Sequence, residues 1–351
     1  MSKDRVVTLR QFLLLEPQRD TTVPHIAAVM EDIAQATRRI SFLLGQGALG
    51  GALGSADTDN VQGEIQKKLD VISNEVMLEC LEWSAHWAGL ASEELEDIVA
   101  IVGPEAPGGR YLCLFDPLDG SSNTDVNGPV GTIFSILRCP EGVTELKKEH
   151  FLQPGTQQVA AGFTVYGPST ILVLTTGTGV NAFTLDRGSG EYLLTHPGMH
   201  IEEDARDFTI NMSNRAYWTP PVQRYIDELI EAGENYRGIH FNMRWVGSMV
   251  ADVFRLLVSG GIFLYPWDSK VPGRAGKLRL LYEVNPVSFI IEQAGGVSTT
   301  GIDRAMEIVP TSLHQRCPAI LGSRNEVERV MAYHLDAARV EVDEPGQRRE
   351  Q

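Results

Sequence analysis

Asp116-Pro-Leu-Asp119-Gly-Ser-Ser-Asn123 is the stretch of this chain richest in chemistry. It holds two carboxylates three residues apart, then a glycine and two small hydroxyl residues, directly behind the apolar Tyr111-Leu-Cys-Leu-Phe115. Carboxylates at the end of a strand hold hard cations, and the backbone N–H groups of a Gly-Ser-Ser turn face a phosphate. The same residues also read as an Asp-Pro turn followed by an Asx-Gly cap, which needs no ligand. Further acids bear on that choice. Glu93-Glu94 alone would be solvated surface, but with Glu64, Asp70 and Glu283 they would form a cluster whose repulsion makes sense only around divalent cations. Oxygen donors without His or Cys select Mg²⁺ or Mn²⁺ over zinc.

Two other segments carry charge in suggestive places. In Gly276-Lys277-Leu-Arg279-Leu-Leu-Tyr282-Glu283-Val-Asn285-Pro286, basic and acidic groups alternate with apolar ones at the entrance to a helix. Lys277 and Glu283 either face a site from one element or are a snorkelling lysine and a helix-start glutamate. Arg244, ahead of Trp245-Val-Gly-Ser-Met-Val-Ala-Asp252, suits a phosphate fork or an interface ion pair.

The elements that must position these groups follow from hydrophobic spacing. Ile26, Val29, Met30, Ile33, Ile40, Leu43 and Leu44 predict a long amphipathic helix, and Ile65, Leu69, Ile72, Val76, Cys80, Trp83 and Trp87 a second. Between them, 45–57 is almost all Gly, Ala and Ser and reads as a mobile loop. Strands are predicted at 98–102, 111–115, 132–137, 159–166, 170–175, 181–185 and 191–195. Beyond about His200, strands at 208–211, 262–265 and 319–322 alternate with helices at 247–259 and 281–294 and others starting at Pro220 and Arg324, an α/β layer pattern.

Composition sets the limits. The chain has 351 residues, 30 Lys+Arg against 46 Asp+Glu, 43% hydrophobic residues and a formal net charge of −16. That charge repels nucleic-acid phosphates and anionic lipid, so no nucleic-acid or membrane partner is expected. No apolar run approaches the ~20 residues of a membrane helix, and the apolar stretch near the start is too short for a signal peptide. Cys80, Cys113, Cys139 and Cys317 lie far apart, as buried free thiols of a cytoplasmic protein would.

Taken together the motifs closely resemble class I fructose-1,6-bisphosphatase, from about Thr8 to Tyr333. The most specific are Lys67-Lys-Leu-Asp70-Val-Ile-Ser-Asn74, Phe115 through Asn123, Gly131-Thr-Ile-Phe134, Val246-Gly-Ser-Met-Val-Ala-Asp252, Gly260-Gly-Ile-Phe263, Gly276 through Pro286, and Ile308-Val-Pro-Thr-Ser-Leu-His-Gln-Arg316. The resemblance implies a layered α/β/α/β/α sandwich of the sugar phosphatase type, in two domains over 1–202 and 203–340 with a tail over 341–351, assembled as a homotetramer. It implies hydrolysis of the 1-phosphate of a sugar bisphosphate with Mg²⁺ (Mn²⁺ possible) as cofactor, in gluconeogenesis or the Calvin cycle. Glu93, Asp116, Asp119, Glu283 and the carbonyl of Leu118 would be metal ligands. Asp70 and Glu94 would position and deprotonate the attacking water, and Glu64 would be the mobile-loop acid that closes on the site. Gly120, Ser121 and Ser122 would hold the 1-phosphate with Lys277, and Asp119 would also face the substrate. Asn211, Tyr265 and an Arg244 from a neighbouring subunit would hold the 6-phosphate.

The sequence departs from animal members at Asn214 and Trp245, where those carry tyrosines, with Tyr217 and Tyr265 as candidate replacements. Their AMP-binding Gly-Thr-Gly-Glu stretch is absent near 22–26, where Pro24 removes a donor, so AMP is expected to inhibit weakly or not at all. Arg110, Tyr111 and Arg138 match other parts of that site. A sedoheptulose-1,7-bisphosphatase or a dual-specificity enzyme is the nearest alternative. A silent sugar-phosphate sensor is a second, although it would be expected to lose Asp70 and Glu94. Trp267-Asp268, which mimics a metal motif of inositol monophosphatases, reads as a loop.

Overall fold

The computed structural model describes residues 6–15, 26–51, 53–59, 65–101, 111–231, 240–271 and 275–343. Glu64, the 22–25 segment and Arg110 lie outside the described residues. The larger of two main sheets has eight strands, in the order Glu191–Met199, Val180–Asp186, Thr170–Thr175, Ala160–Tyr166, Val130–Arg138, Tyr111–Asp119, Trp87–Ser92 and Val99–Ala100. Neighbours run antiparallel except Trp87–Ser92 and Tyr111–Asp119, which are parallel. Those two strands are buried along their whole length, as strands covered on both faces must be.

Helices cover both faces. Leu9–Leu15, Ile26–Gln46 and Lys68–Leu81 pack on one side, where Val29, Met30 and Ile33 meet Phe115, Phe134 and Phe183. On the other side lie Met249–Ser259 and Asn285–Gln293, whose apolar faces also reach Phe263, Ala319 and Leu321 of the second sheet. That sheet has five strands: Asn242–Met243, Asp207–Thr209, Ile262–Tyr265, Ala319–Gly322 and Val297–Thr299. Its far face is closed by Pro220–Ile230 and Arg324–Asp343 through Tyr225, Ile226, Val327 and Val330. The result is the expected α/β/α/β/α sandwich, with one helical layer shared by both sheets.

Two local expectations are corrected. The second helix ends at Leu81. Trp83 is 71% exposed, while Trp87, 1% exposed, opens a strand whose six residues are all buried. Its helical spacing was a coincidence of a run buried on both faces, which carries no period. The Gly-rich 45–57 segment is more ordered than composition suggests. The first helix runs to Gln46, a 3₁₀ turn covers Gly47–Gly50, and Ser55–Asp59 pairs antiparallel with Ile65–Lys67. Asp125 anchors the pair by accepting from the Gly54 amide at 3.1 Å and the Lys67 ammonium at 2.8 Å.

The shared helical layer sits close to the large sheet because Gly131 has no side chain. A Cβ there would lie 2.2 Å from the Thr164 carbonyl oxygen and 2.5 Å from Val250 Cγ2. Gly131→Ala is therefore expected to cost roughly 1–3 kcal/mol by denaturant unfolding. Gly45→Ala, whose Cβ would enter open space, is the control and should be neutral or stabilising.

Candidate active site

Asp116 and Asp119 both belong to the strand Tyr111–Asp119. A spacing of three would put them on opposite faces of a regular strand. The register instead slips: Asp116 pairs with Ile133 and Asp119 with Gly131, so three steps on one strand match two on the other. This bulge brings both carboxylates to one side. The bulged residues are held in turn, with the Leu118 amide donating to Asp116 Oδ1 at 2.9 Å and Thr132 Oγ1 to the Pro117 carbonyl at 2.9 Å. Gly120, at φ +73°, turns the chain into the 3₁₀ segment Ser121–Val126. A Cβ on Gly120 would lie 2.8 Å from Ser248 Cβ, so glycine serves both the backbone angle and the contact. The Ser121 and Ser122 amides precede the first bond of that segment, in which Asn123 donates to Gly120.

Asp119 ties the two halves of the chain together. Its Oδ2 accepts from Ser248 Oγ at 3.1 Å and from the Val250 amide at 3.0 Å, at the start of the helix Met249–Ser259. A carboxylate suits that helix end.

Glu93 and Glu94 follow the strand Trp87–Ser92 in a fixed turn, not a free loop, because the Glu93 amide donates to the Phe115 carbonyl at 3.0 Å. Glu93 is buried and Glu94 half-buried. Asp70 is the third residue of Lys68–Leu81 and accepts from the Lys67 amide at 2.7 Å, so it is held by a helix end. Glu283 lies in a π-turn, Leu280–Val284, in which the Asn285 amide reaches back five residues to Leu280. Pro286 follows and cannot donate to Tyr282, which accounts for the widened turn.

These elements surround one cleft of about 520 Å³. Asp70, Glu93, Glu94, Asp116, Leu118, Asp119, Gly120, Ser121, Ser122, Asn211, Tyr265, Lys277 and Glu283 all line it. Arg244 does not. It stands half exposed beyond the edge strand Asn242–Met243, with Nε 3.7 Å from Asp207 Oδ2. Trp245 borders the cleft with its ring 5.9 Å from that of Tyr265, whereas Asn214 is turned away and accepts from Lys270 Nζ at 3.1 Å. Tyr217 does not border the cleft, so of the two candidate replacements only Tyr265 is in place. Asp268 bridges to Trp218 away from the cleft, in keeping with its reading as a loop residue.

Ser248, Asp252 and Arg279 are among the lining residues not assigned from sequence. Arg279 forms a buried ion pair with Glu93, with its NH1 4.0 Å from Glu283 Oε2, and its amide donates to Glu283. The i,i+4 spacing of Arg279 and Glu283 was the available signal.

The cleft is electrostatically frustrated without a cation. Burial pushes the Asp119 carboxyl up to about 7, against the pull of the Val250 amide. Asp116 is driven well above the usual carboxylate range by burial and then by Glu93, Asp119 and Glu283. Burial also raises Glu283, and Arg279 opposes that. Asp70 rises to about 6 and Asp252 to about 7, again chiefly by burial. Carboxylate oxygens of Asp116, Asp119 and Glu283 all lie within 4.8 Å of one another. Buried, oxygen-only and short of positive charge, this donor set fits a hard divalent cation.

A family model for the N-terminal domain of fructose-1,6-bisphosphatase matches residues 7–197, and one for the C-terminal domain matches 201–335. The chain belongs to the fructose-1,6-bisphosphatase family. Among solved structures, it is similar to the Leishmania major fructose-1,6-bisphosphatase in holo form, at 38% identity and a TM-score of 0.86. The apo form of that enzyme matches at 36% identity and a TM-score of 0.82. Each match covers 94% of this chain and 99% of the other. The fructose-1,6-bisphosphatase match thus takes in both sheets and every described wall of the cleft.

The raised carboxyls fix the sign of a pH effect. Asp70, Asp119 and Asp252 bind protons more tightly folded than unfolded, so between about pH 4 and 7 the unfolded chain holds fewer protons. Metal-free protein should therefore lose stability as pH rises through that window. In thermal melts after chelation, Mg²⁺ should raise Tm more at about pH 8 than at about pH 5. Equal gains at both values would count against a carboxylate site.

Proposed function

We propose that this chain hydrolyses the 1-phosphate of fructose 1,6-bisphosphate to fructose 6-phosphate and inorganic phosphate, using Mg²⁺ or Mn²⁺. The observation that carries the reading is the convergence on one cleft of an acid cluster, the Gly120-Ser121-Ser122 turn with Lys277, and Asn211 and Tyr265. Glu93, Asp116, Asp119, Glu283 and the Leu118 carbonyl would hold the metal. Bound there, it would supply positive charge to the phosphoryl oxygens and acidify water.

The chain's own residues account for the rest. Asp70 and Glu94 hold the attacking water and take its proton. The raised Asp70 carboxyl is poised to release that proton near neutrality. The Ser121 and Ser122 amides and Lys277 fix the 1-phosphate in line with the water, so that the water oxygen bonds to phosphorus as the bond to the sugar oxygen breaks. That sugar oxygen leaves by taking a proton from solvent water in the open cleft, and no covalent enzyme intermediate is required. Asn211 and Tyr265 hold the second phosphate. Arg244, half exposed at the sheet edge, would serve the site of a neighbouring subunit in a homotetramer.

The domain division at 202 and 203 falls close to the join between the two family models. A cytoplasmic setting suits the four free cysteines. Among the described residues, no helix is long and apolar enough to cross a membrane. A role in gluconeogenesis or the Calvin cycle follows from the substrate.

Phosphate release with Mg²⁺ from fructose 1,6-bisphosphate and sedoheptulose 1,7-bisphosphate, assayed side by side, tests the reading. The first should be the better substrate, and no release from either would overturn it. Asp119→Asn should lower turnover by at least about 100-fold while the protein stays folded by circular dichroism. Arg244→Ala should raise KM by more than about tenfold, and gel filtration should show an oligomer. An unchanged KM would mean that Arg244 serves no site.

A further inference from the structure

The cleft holds six carboxylates less than one-tenth exposed: Asp70, Glu93, Asp116, Asp119, Asp252 and Glu283. The cations that line it are Lys277 and Arg279. Lys277 is exposed, with its ammonium 5.6 Å from the centre of the Tyr265 ring. Arg279 is the buried one, with only 7% of its side chain exposed. Its guanidinium pairs directly with Glu93 on one side and approaches Glu283 on the other. It therefore engages two of the carboxylates read above as metal ligands, and one buried cation faces six buried carboxyl groups.

We propose that Arg279 is a built-in counter-cation of the acid cluster, a positioning residue that holds Glu93 and Glu283 until a divalent ion replaces it. The inference rests on the metal-site reading given above. A guanidinium and a dication sharing the Glu93 carboxylate would stand a few ångströms apart in a buried space, where like charges repel strongly. Taking up the ion on Glu93 thus requires Arg279 to give that carboxylate up. The exchange keeps the cluster compensated throughout. Breaking a buried ion pair without replacement leaves a costly bare charge, whereas a dication arriving at the same oxygens removes that cost. Arg279 borders the open cleft, so its guanidinium has space to move into. Its backbone contributes separately, since the Arg279 amide donates to Glu283 whatever the side chain does.

Two opposed effects follow from removing the guanidinium. The metal-free protein should become less stable, because Glu93 and Glu283 lose their buried partner. Divalent ions should bind more tightly, because nothing competes for Glu93. A residue that only braces the metal ligands would give the reverse on the second count.

The test is Mn²⁺ titration of chelator-treated full-length protein without substrate, with free Mn²⁺ read by electron paramagnetic resonance, on wild type, Arg279→Gln and Arg279→Lys. Arg279→Gln should bind Mn²⁺ roughly tenfold more tightly than wild type, equivalent to one factor of ten in Kd. Its metal-free Tm should be lower than that of wild type, and the gap should close at saturating Mn²⁺. Arg279→Lys, which keeps the charge but reaches one carboxylate at a time, should lie between the two and serves if the glutamine variant does not fold. Unchanged or weaker Mn²⁺ binding by the variants, with wild type binding normally, would overturn the Arg279 proposal alone. A wild type that takes up no Mn²⁺ would overturn the metal-site reading and this proposal with it.

Discussion

Asp116, Asp119 and Glu283 bring three carboxylates into a buried space a few ångströms across, with Glu93 at its edge, and each repels the others. No chain folds into such a cluster because the cluster is favourable. It forms because the surrounding layers are stable enough to hold it, through a large sheet covered on both faces and a helical layer packed against two sheets at once. Much of the local structure then serves to make the repulsion tolerable. The start of the helix Met249–Ser259 lends two donors to Asp119, the Leu118 amide lends one to Asp116, and Arg279 lends its charge to Glu93 and Glu283. A site that is unfavourable when empty is thereby ready to bind cations.

Three backbone departures from regular structure occur where that cluster is built. A bulge turns two aspartates onto one face, a left-handed glycine starts the turn behind them, and a π-turn ahead of Pro286 carries Glu283. Each deviation would weaken an ordinary strand or helix. Here the buried strand Tyr111–Asp119 and the largely buried helix Asn285–Gln293 beside them hold them in place.

Much of this was legible in the sequence, for definite physical reasons. An α/β layer pattern follows from apolar periodicity and from the switch between strand-like and helix-like segments near His200, while the five-layer order came only with the family resemblance. The acids were visible as residue types that have no reason to cluster except around cations. The bulge was not legible, because a three-residue spacing points two side chains to opposite faces until the partner strand slips. Nor was the strand Trp87–Ser92, since a run buried on both faces carries no period and its first tryptophan happened to continue the helical spacing before it. Arg279 was in view as a charge beside Glu283, but its pairing with Glu93 depends on the chain returning from far away in sequence. Ser248 and Asp252 were hidden for the same reason: they matter through contact with Asp119, not through anything in their own segment.

The helical layer between the two sheets has a consequence for how such a protein can change over time. Asp70, Glu93, Glu94, Asp116 and Asp119 come before residue 202, while Ser248, Lys277, Arg279 and Glu283 come after it, and the two sets meet directly in the cleft, as where Arg279 pairs with Glu93 and Ser248 donates to Asp119. Neither half carries a complete set of charges, so a half exchanged with a distant relative would bring acids without their matching donors. Substitutions on one side of the join must therefore be accepted in step with those on the other. The two halves can diverge only as a pair, even though each has a sheet of its own.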